Sequence, residues 1–177
     1  MSDAFNTRAV YTWKPDRLYR VYISSGQLYF IRIGGQGYAL AQALELQLGP
    51  FGQMLGRSVQ QRSDEKLRKR VEEADRIPPE IRVREHAHNL RIGVEQIADS
   101  AILPPGRMAS HGPRFGRWNI GLRDGSEFKL QFEGLGEMQH ALELLPPLLG
   151  NRLVVDVQWD ELLGQFVKRA EGGGPVG

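Results

Sequence analysis

The chain has 177 residues, 41% of them hydrophobic and 25% charged, with a net charge of +2 and no cysteine. That is enough apolar material for one core without disulfides, and the missing thiols exclude disulfide frameworks, thiol catalysis and zinc ribbons. So small a charge excess does not by itself point to nucleic acid or membrane. The longest uncharged run, IGGQGYALAQAL from Ile33 to Leu44, is 12 residues, short of the roughly 20 that a spanning helix needs. MSDAFNTRAV has no positive cluster before an apolar run, so no signal peptide is expected, and a cysteine-free chain suits the cytoplasm.

In chain order, AVYTW (residues 9–13) is a short strand candidate. YRVYISSGQLYFIRIGGQG follows with period two: Tyr19, Val21 and Ile23 share one face, and Tyr29, Ile31 and Ile33 share a face of the next strand. Gly26 supplies the tight turn of a β-hairpin. In YALAQALELQLG, Leu40, Leu44 and Leu48 recur every four residues, a helical stripe that Gly49-Pro50 ends. Ser58 and Gln61 form a capping box for a second, highly charged helix whose apolar residues are Val59, Leu67, Val71 and Ala74. Ile77-Pro78-Pro79 stops it.

Strands then return. HNLRI and QIADSAI are short candidates. RWNIGLRDGSEFKLQFEG pairs Trp118, Ile120 and Leu122 with Phe128, Leu130 and Phe132 across an Asp124-Gly125 hairpin turn. EMQHALELLPPLLG carries Met138, Ala141, Leu142, Leu145 and Leu149 at helical spacing; Pro146-Pro147 should bend its last turn and Gly150 should cap it. LVVDVQW alternates Leu153, Val155, Val157 and Trp159 as one more strand, and the EGGGPVG end reads as disordered. Hairpin-linked strands imply an antiparallel sheet and not βαβ units.

Three stretches carry a family resemblance: YISSGQLYFIRIGGQG, HNLRIGVEQIADSAI, and WNIGLRDGSEFKLQFEGLGEMQHALELLPPLLG. Together they resemble uncharacterised bacterial pleckstrin-homology-like (PH-like) domain proteins over roughly residues 10–150. The resemblance implies an α+β fold, an antiparallel open barrel of about seven strands capped by a C-terminal amphipathic helix. The expected division is a single domain over 8–160, with a helical insertion at about 38–77, and a C-terminal tail over 161–177. The expected core holds Tyr19, Val21, Ile31, Ile33, Trp118, Ile120, Phe128, Leu130, Phe132, Leu142 and Leu145. The chain departs from the family where LVVDVQW continues past the helix, which suggests an added or partner-binding edge strand. PH-like folds host lipid, peptide and protein binding alike, so fold alone does not give function.

Catalytic motifs are weak. GGQG matches half of a dinucleotide loop, but Leu40 stands where the third glycine belongs and the preceding strand sits in a hairpin. GQMLGRS has Phe51 and Arg57 where a P-loop needs Gly and Lys. His86 and His88 lie one residue apart with no third ligand at a recognised spacing. Carboxylates such as Glu72 and Glu73 belong to a solvated helix face, where Asp64 with Arg68 and Glu65 with Lys69 fit i,i+4 pairing. No serine sits in a nucleophile elbow. Aromatics such as Tyr29 and Trp118 follow core alternation instead of forming a stacking platform, so no nucleic acid is expected.

Two segments remain as binding candidates. The loop GRMASHGPRFGR (106–117) gathers Arg107, His111, Arg114 and Arg117 with no acid, among glycines that let backbone approach a ligand. These four are the expected ligand contacts for an anionic lipid headgroup or an acidic protein partner, with Phe115 and Met108 able to dip into a membrane interface. The segment from Ile33 to Gly56 has Glu45 as its one charge. Its Leu40, Leu44, Leu48 and Phe51 make the expected interaction surface, for self-association into a homo-oligomer or a partner protein. The sequence therefore leads to a non-catalytic binding module in the cytoplasm or at the inner membrane surface, with no cofactor or metal. An interaction module using the insertion helices and last strand is the alternative, and an enzyme of unknown class the third reading.

Overall fold

The computed structural model describes residues 3–9, 16–35, 65–105 and 115–169. Three strands open the chain: β1 (Ala4–Ala9), β2 (Arg17–Ser24) and β3 (Gln27–Gly35). Helix α1 covers 65–75, and the short helix α2 covers Pro79–Arg82. Next come β4 (Leu90–Gly93), β5 (Ile97–Leu103), β6 (Arg117–Leu122) and β7 (Glu127–Phe132). Helix α3 (Leu135–Leu149) leads to β8 (Leu153–Val155), β9 (Val157–Asp160) and β10 (Gln165–Lys168).

Eight strands form one sheet in the order β4-β3-β2-β1-β7-β6-β5-β8. Neighbours are antiparallel except β5 and β8, which run parallel. The sheet does not close into a barrel; β4 and β8 are its two edges, and β9 and β10 make a separate hairpin. The fold is thus mixed α+β and dominated by antiparallel strands.

Register explains which side chains share a face. Val21 lies opposite Phe30, and Tyr22 opposite Tyr29. Directly opposed residues point the same way and successive ones alternate. Phe5, Tyr19, Val21, Leu28 and Phe30 therefore face inward with Trp118, Ile120, Leu130 and Phe132. Helix α3 covers this face with Met138, Ala141, Leu145 and Leu149. Trp118 packs between Phe5 at 5.7 Å and Phe30 at 6.0 Å between ring centroids. Its indole N–H donates to Ser100 Oγ at 2.8 Å, so the largest buried ring leaves no unpaired donor.

The single expected core divides in two. Leu18, Tyr22, Tyr29, Ile31 and Ile33 lie on the opposite face, under Leu67, Val71 and Ala74 of α1. Ile31 and Ile33 are buried as expected, but not with Tyr19 and Val21, because the hairpin register puts the two sets on opposite sides. Both sheet faces are covered there, so apolar residues occupy both alternating sets.

Other expectations are corrected. The first strand is AFNTRA (Ala4–Ala9), upstream of the AVYTW candidate, whose residues 10–13 lie outside the described residues. LVVDVQW divides at Asp156 into β8, which extends the main sheet, and β9, which turns into a hairpin. The stretch 161–177, expected as a tail, contains β10; Phe166 of that strand is buried in the main core. Pro79 starts helix α2, where its missing N–H costs nothing. Helix α3 continues through Pro146 and Pro147 to a cap at Gly150. In the β6–β7 turn only Gly125 takes a positive φ, with Asp124 Oδ1 accepting from Ser126 N at 2.9 Å. The expected Asp124-Gly125 hairpin turn thus forms, with Gly125 N donating to Leu122 O at 3.0 Å. Residues 36–64, which hold most of the expected helical insertion, lie outside the described residues.

Candidate functional site

Over residues 65–75, helix α1 packs on the sheet through Leu67, Val71 and Ala74. Its apolar stripe is narrow, and most of the rest is charged and exposed. A polar clamp holds it to the sheet. Arg20 Nε and Nη2 donate to Asp75 Oδ1 and Oδ2 at 2.7 and 3.0 Å. The Tyr22 hydroxyl donates to Asp75 Oδ1 at 2.6 Å. Arg20 Nη1 also reaches Asn6 Oδ1 at 3.3 Å, and Asn6 donates its backbone and side-chain N–H to Glu137 at 2.6 and 2.7 Å. One chain of hydrogen bonds thus joins α1, β2, β1 and α3.

The clamp's electrostatics are those of a structural device. Burial pushes the Tyr22 phenol pKa up, and its hydrogen bond to Asp75 pushes it further. Burial works to lower the Arg20 pKa, but Asp75 outweighs it through hydrogen bond and charge, so the value rises. Both groups move away from neutral pH, the opposite of a group tuned for proton transfer.

Beside α1 lies a groove of about 520 Å³. One wall is β3 from Ile31 to Gly35; the other runs through Arg82, Glu85, His86 and Asn89, and Arg70, Glu73 and Ala74 of α1 complete it. Strand β4 pairs only with Gln27–Phe30 of β3. Past that point, among the described residues, no strand continues on that side.

Side chains take over where the strand ladder stops. Asn89 Oδ1 accepts from Arg32 N at 2.9 Å, and its Nδ2 donates to Arg82 O at 2.8 Å. Arg70 Nη1 donates to Ile33 O at 3.2 Å, and Arg32 Nε to Gly34 O at 3.4 Å. Arg82 is paired with Glu85 at 3.0 Å. Among the described residues neither Arg32 nor Arg70 has a carboxylate partner. Three arginines, Arg32, Arg70 and Arg82, line the groove against two glutamates, Glu73 and Glu85.

His86 and His88 stand in the turn before β4, with ring centroids 5.1 Å apart. His88 N donates to His86 Nδ1 at 3.1 Å. Desolvation, then Arg17, His86 and Arg32, hold the His88 pKa below its ordinary value.

The GGQG stretch gains a structural reason here. Strand β3 runs on to Gly35, where an added Cβ would lie 2.6 Å from Asp16 O. Glycine is required by close backbone approach between β3 and the entry to β2. Gln36 and Gly37 lie outside the described residues.

Of the expected ligand contacts, Arg117 opens β6 and donates from Nε to Pro104 O at 3.3 Å, exposed to solvent. Arg107, His111 and Arg114 lie outside the described residues, as do Leu40, Leu44, Leu48 and Phe51. Within α1 the expected Glu65–Lys69 pair forms at 3.0 Å and an unforeseen Arg68–Glu72 pair at 3.8 Å, both solvent-exposed. Asp64, the expected partner of Arg68, is outside the described residues.

Sequence reasoning missed the groove because its residues come from three separated segments. The run IRVREHAHN, dense in Arg and His, was the available signal. It also missed the tip of the β9–β10 hairpin, where Leu162 is 98% exposed, Leu163 62% and Trp159 41%. Asp160 Oδ1 accepts from both Leu162 N and Leu163 N, at 2.9 and 3.0 Å, and fixes that tip.

No described helix is long and apolar enough to cross a membrane. Compared with known proteins, the chain matches no family model, no curated protein and no solved structure.

Proposed function

We propose that the chain is a non-catalytic binding module of the PH-like kind that takes an anionic partner, in the cytoplasm or at the inner membrane surface. Support for the PH-like assignment is the run of seven strands, β1 to β7, each of which pairs with its chain neighbour save at the β4–β5 break, followed by an amphipathic helix on the inner face. The observation that carries the function is the pair of guanidinium groups, Arg32 and Arg70, lining one groove with no carboxylate partner among the described residues. Guanidinium forks bind carboxylate and phosphate oxygens in two-point geometry. On this reading Arg107, His111, Arg114 and Arg117 add a second basic element from the 106–117 loop.

The test is co-sedimentation with neutral and with anionic vesicles at low and high salt. Salt-sensitive binding to anionic vesicles alone, weakened by Arg32→Gln with Arg70→Gln, supports the groove. Weakening by Arg107→Ala, Arg114→Ala and Arg117→Ala together supports the loop. If neither set of substitutions changes anionic binding, the assignment of these arginines fails.

A second reading, self-association or protein–protein contact through the chain's last strands, is favoured by the Leu162, Leu163 and Trp159 exposure. It predicts a concentration-dependent oligomer in sedimentation, dispersed by Leu162→Ser with Leu163→Ser. A strict monomer at high concentration counts against self-association.

A further inference from the structure

We infer that the groove takes an extended acidic peptide, added as a strand alongside Ile31–Gly35 of β3 where β4 ends. This rests on the reading of the groove as an anion site and names its partner.

Three observations carry it. First, β3 outruns β4: Gln27–Phe30 are paired with β4, and among the described residues Ile31–Gly35 have no strand partner on that side. At about 3.3 Å per residue, the unpaired stretch has room for some five residues of a new strand. Second, the edge is hydrogen-bonded by displaceable side chains instead of main chain. The Asn89 amide has the chemistry of a peptide group, and it holds Arg32 N–H on one side and Arg82 O on the other. It stands as a side-chain stand-in for the peptide unit of an added strand. Arg70 does the same at Ile33 O and Arg32 at Gly34 O, through longer bonds of 3.2 and 3.4 Å. Third, the charges are complementary. Two of the three displaced groups are arginines without a carboxylate partner among the described residues. Once released from backbone carbonyls, their guanidinium groups are free to take acidic side chains of the incoming segment.

Two of the displaced bonds have direct main-chain replacements. A peptide C=O replaces Asn89 Oδ1 at Arg32 N–H, and a peptide N–H replaces Arg70 at Ile33 O. The guanidinium groups, which had donated to uncharged carbonyls, then pair with ionised carboxylates in two-point geometry. Main-chain bonds then supply affinity, and alternating acidic side chains supply selectivity. A compact anion would use the guanidinium groups but leave the strand edge as it is. Side-chain capping also serves to blunt sheet edges against chance pairing, so the competition between cap and peptide is what an experiment must measure.

The full chain, labelled with ¹⁵N, is titrated with three probes: a capped pentapeptide alternating valine and glutamate, the same peptide N-methylated on alternate amides, and inositol hexakisphosphate. The expected result is shifts at the Arg32, Gly34 and Gly35 amides with the first peptide, binding weakened about tenfold or more by N-methylation, and weakened again in Arg32→Gln with Arg70→Gln. Both side chains are exposed, and circular dichroism checks that the variant folds. Equal affinity for the two peptides overturns strand addition and leaves the anion site standing. So does binding of inositol hexakisphosphate alone. Absence of binding by all three probes overturns both readings.

Discussion

Arg20 of β2 and Asp75 at the end of α1 meet in a two-point contact, 2.7 and 3.0 Å, with the Tyr22 hydroxyl on the same carboxylate at 2.6 Å. Arg20 is nearly buried and Asp75 is partly open to solvent. Removing the carboxylate therefore takes a two-point, charge-assisted contact from a nearly buried cation, which costs more than losing one average hydrogen bond. Asp75→Ala is expected to destabilise by about 2–3 kcal/mol, read as a lower urea midpoint. Amide exchange should quicken most in 65–75, because that helix depends on the contact. Asp75→Asn keeps the shape and should lose less. An unchanged midpoint in both variants would mean the clamp contributes nothing to stability.

Tyr22 gives the clamp an alkaline limit. Its folded-state pKa is raised above the ordinary value of 10.0, by burial first and by Asp75 second. The folded protein thus holds the phenol proton more tightly than the unfolded chain. That contribution is complete below about pH 10 and is lost as pH climbs through the folded value. Urea midpoints between pH 9 and 11 should fall more steeply for the wild type than for Tyr22→Phe. At pH 7 the same substitution should cost about 1 kcal/mol for the lost hydrogen bond. Parallel alkaline limbs would remove Tyr22 from this role.

His88 reports on the groove from the opposite side of neutrality. Its pKa is held below 6.5 by desolvation and by Arg17, His86 and Arg32. A depressed folded value means the unfolded chain binds the proton more tightly. Its contribution to stability is therefore greatest above about pH 6.5 and declines as pH falls through the folded midpoint. Proton NMR of the imidazole should give a midpoint below 6.5. Adding the acidic peptide or inositol hexakisphosphate should raise it, because an anion near Arg32 offsets the repelling cations. A midpoint indifferent to ligand would place the anion elsewhere.

Gly116, the residue before β6, sits at φ +126° against Met138 of helix α3. A Cβ there would lie 2.8 Å from Met138 Sδ and 3.0 Å from Leu103 O. Both the backbone angle and the contact oppose a side chain, so Gly116→Ala should destabilise by about 1–3 kcal/mol. Met138 is fully buried, so the thioether cannot swing out to solvent. The double variant Gly116→Ala with Met138→Ala separates the two causes: recovery relative to Met138→Ala alone indicts the clash, and none indicts the angle. A neutral single substitution would show that the loop shifts without cost.

Much of the fold was legible because its cues are local. Alternation in RVYIS and LYFIRI, the Ser25-Gly26 turn and the Met138/Ala141/Leu145/Leu149 stripe each lie within one element, and each reappears in the structure. Strand β1 was missed because AFNTRA carries a single large apolar side chain, Phe5, and its pairing with β2 and β7 is what makes it a strand. The division of LVVDVQW at Asp156 was also illegible, since alternation continues unbroken across the point where the chain leaves one sheet for another.

Composition and periodicity alone determined that this is a cysteine-free chain of largely hairpin-linked antiparallel strands with an amphipathic closing helix. Tertiary structure decided everything that depends on residues far apart. The hairpin register placed Ile31 and Ile33 under α1 and Phe30 beside Trp118. The early end of β4 left the Arg32–Gly35 edge to the side chains of Asn89, Arg70 and Arg32 itself. Local sequence encodes backbone preference and the face a residue points to; which strand stops short, and which charge is left without a counter-ion, is settled only when separate segments compete for the same space.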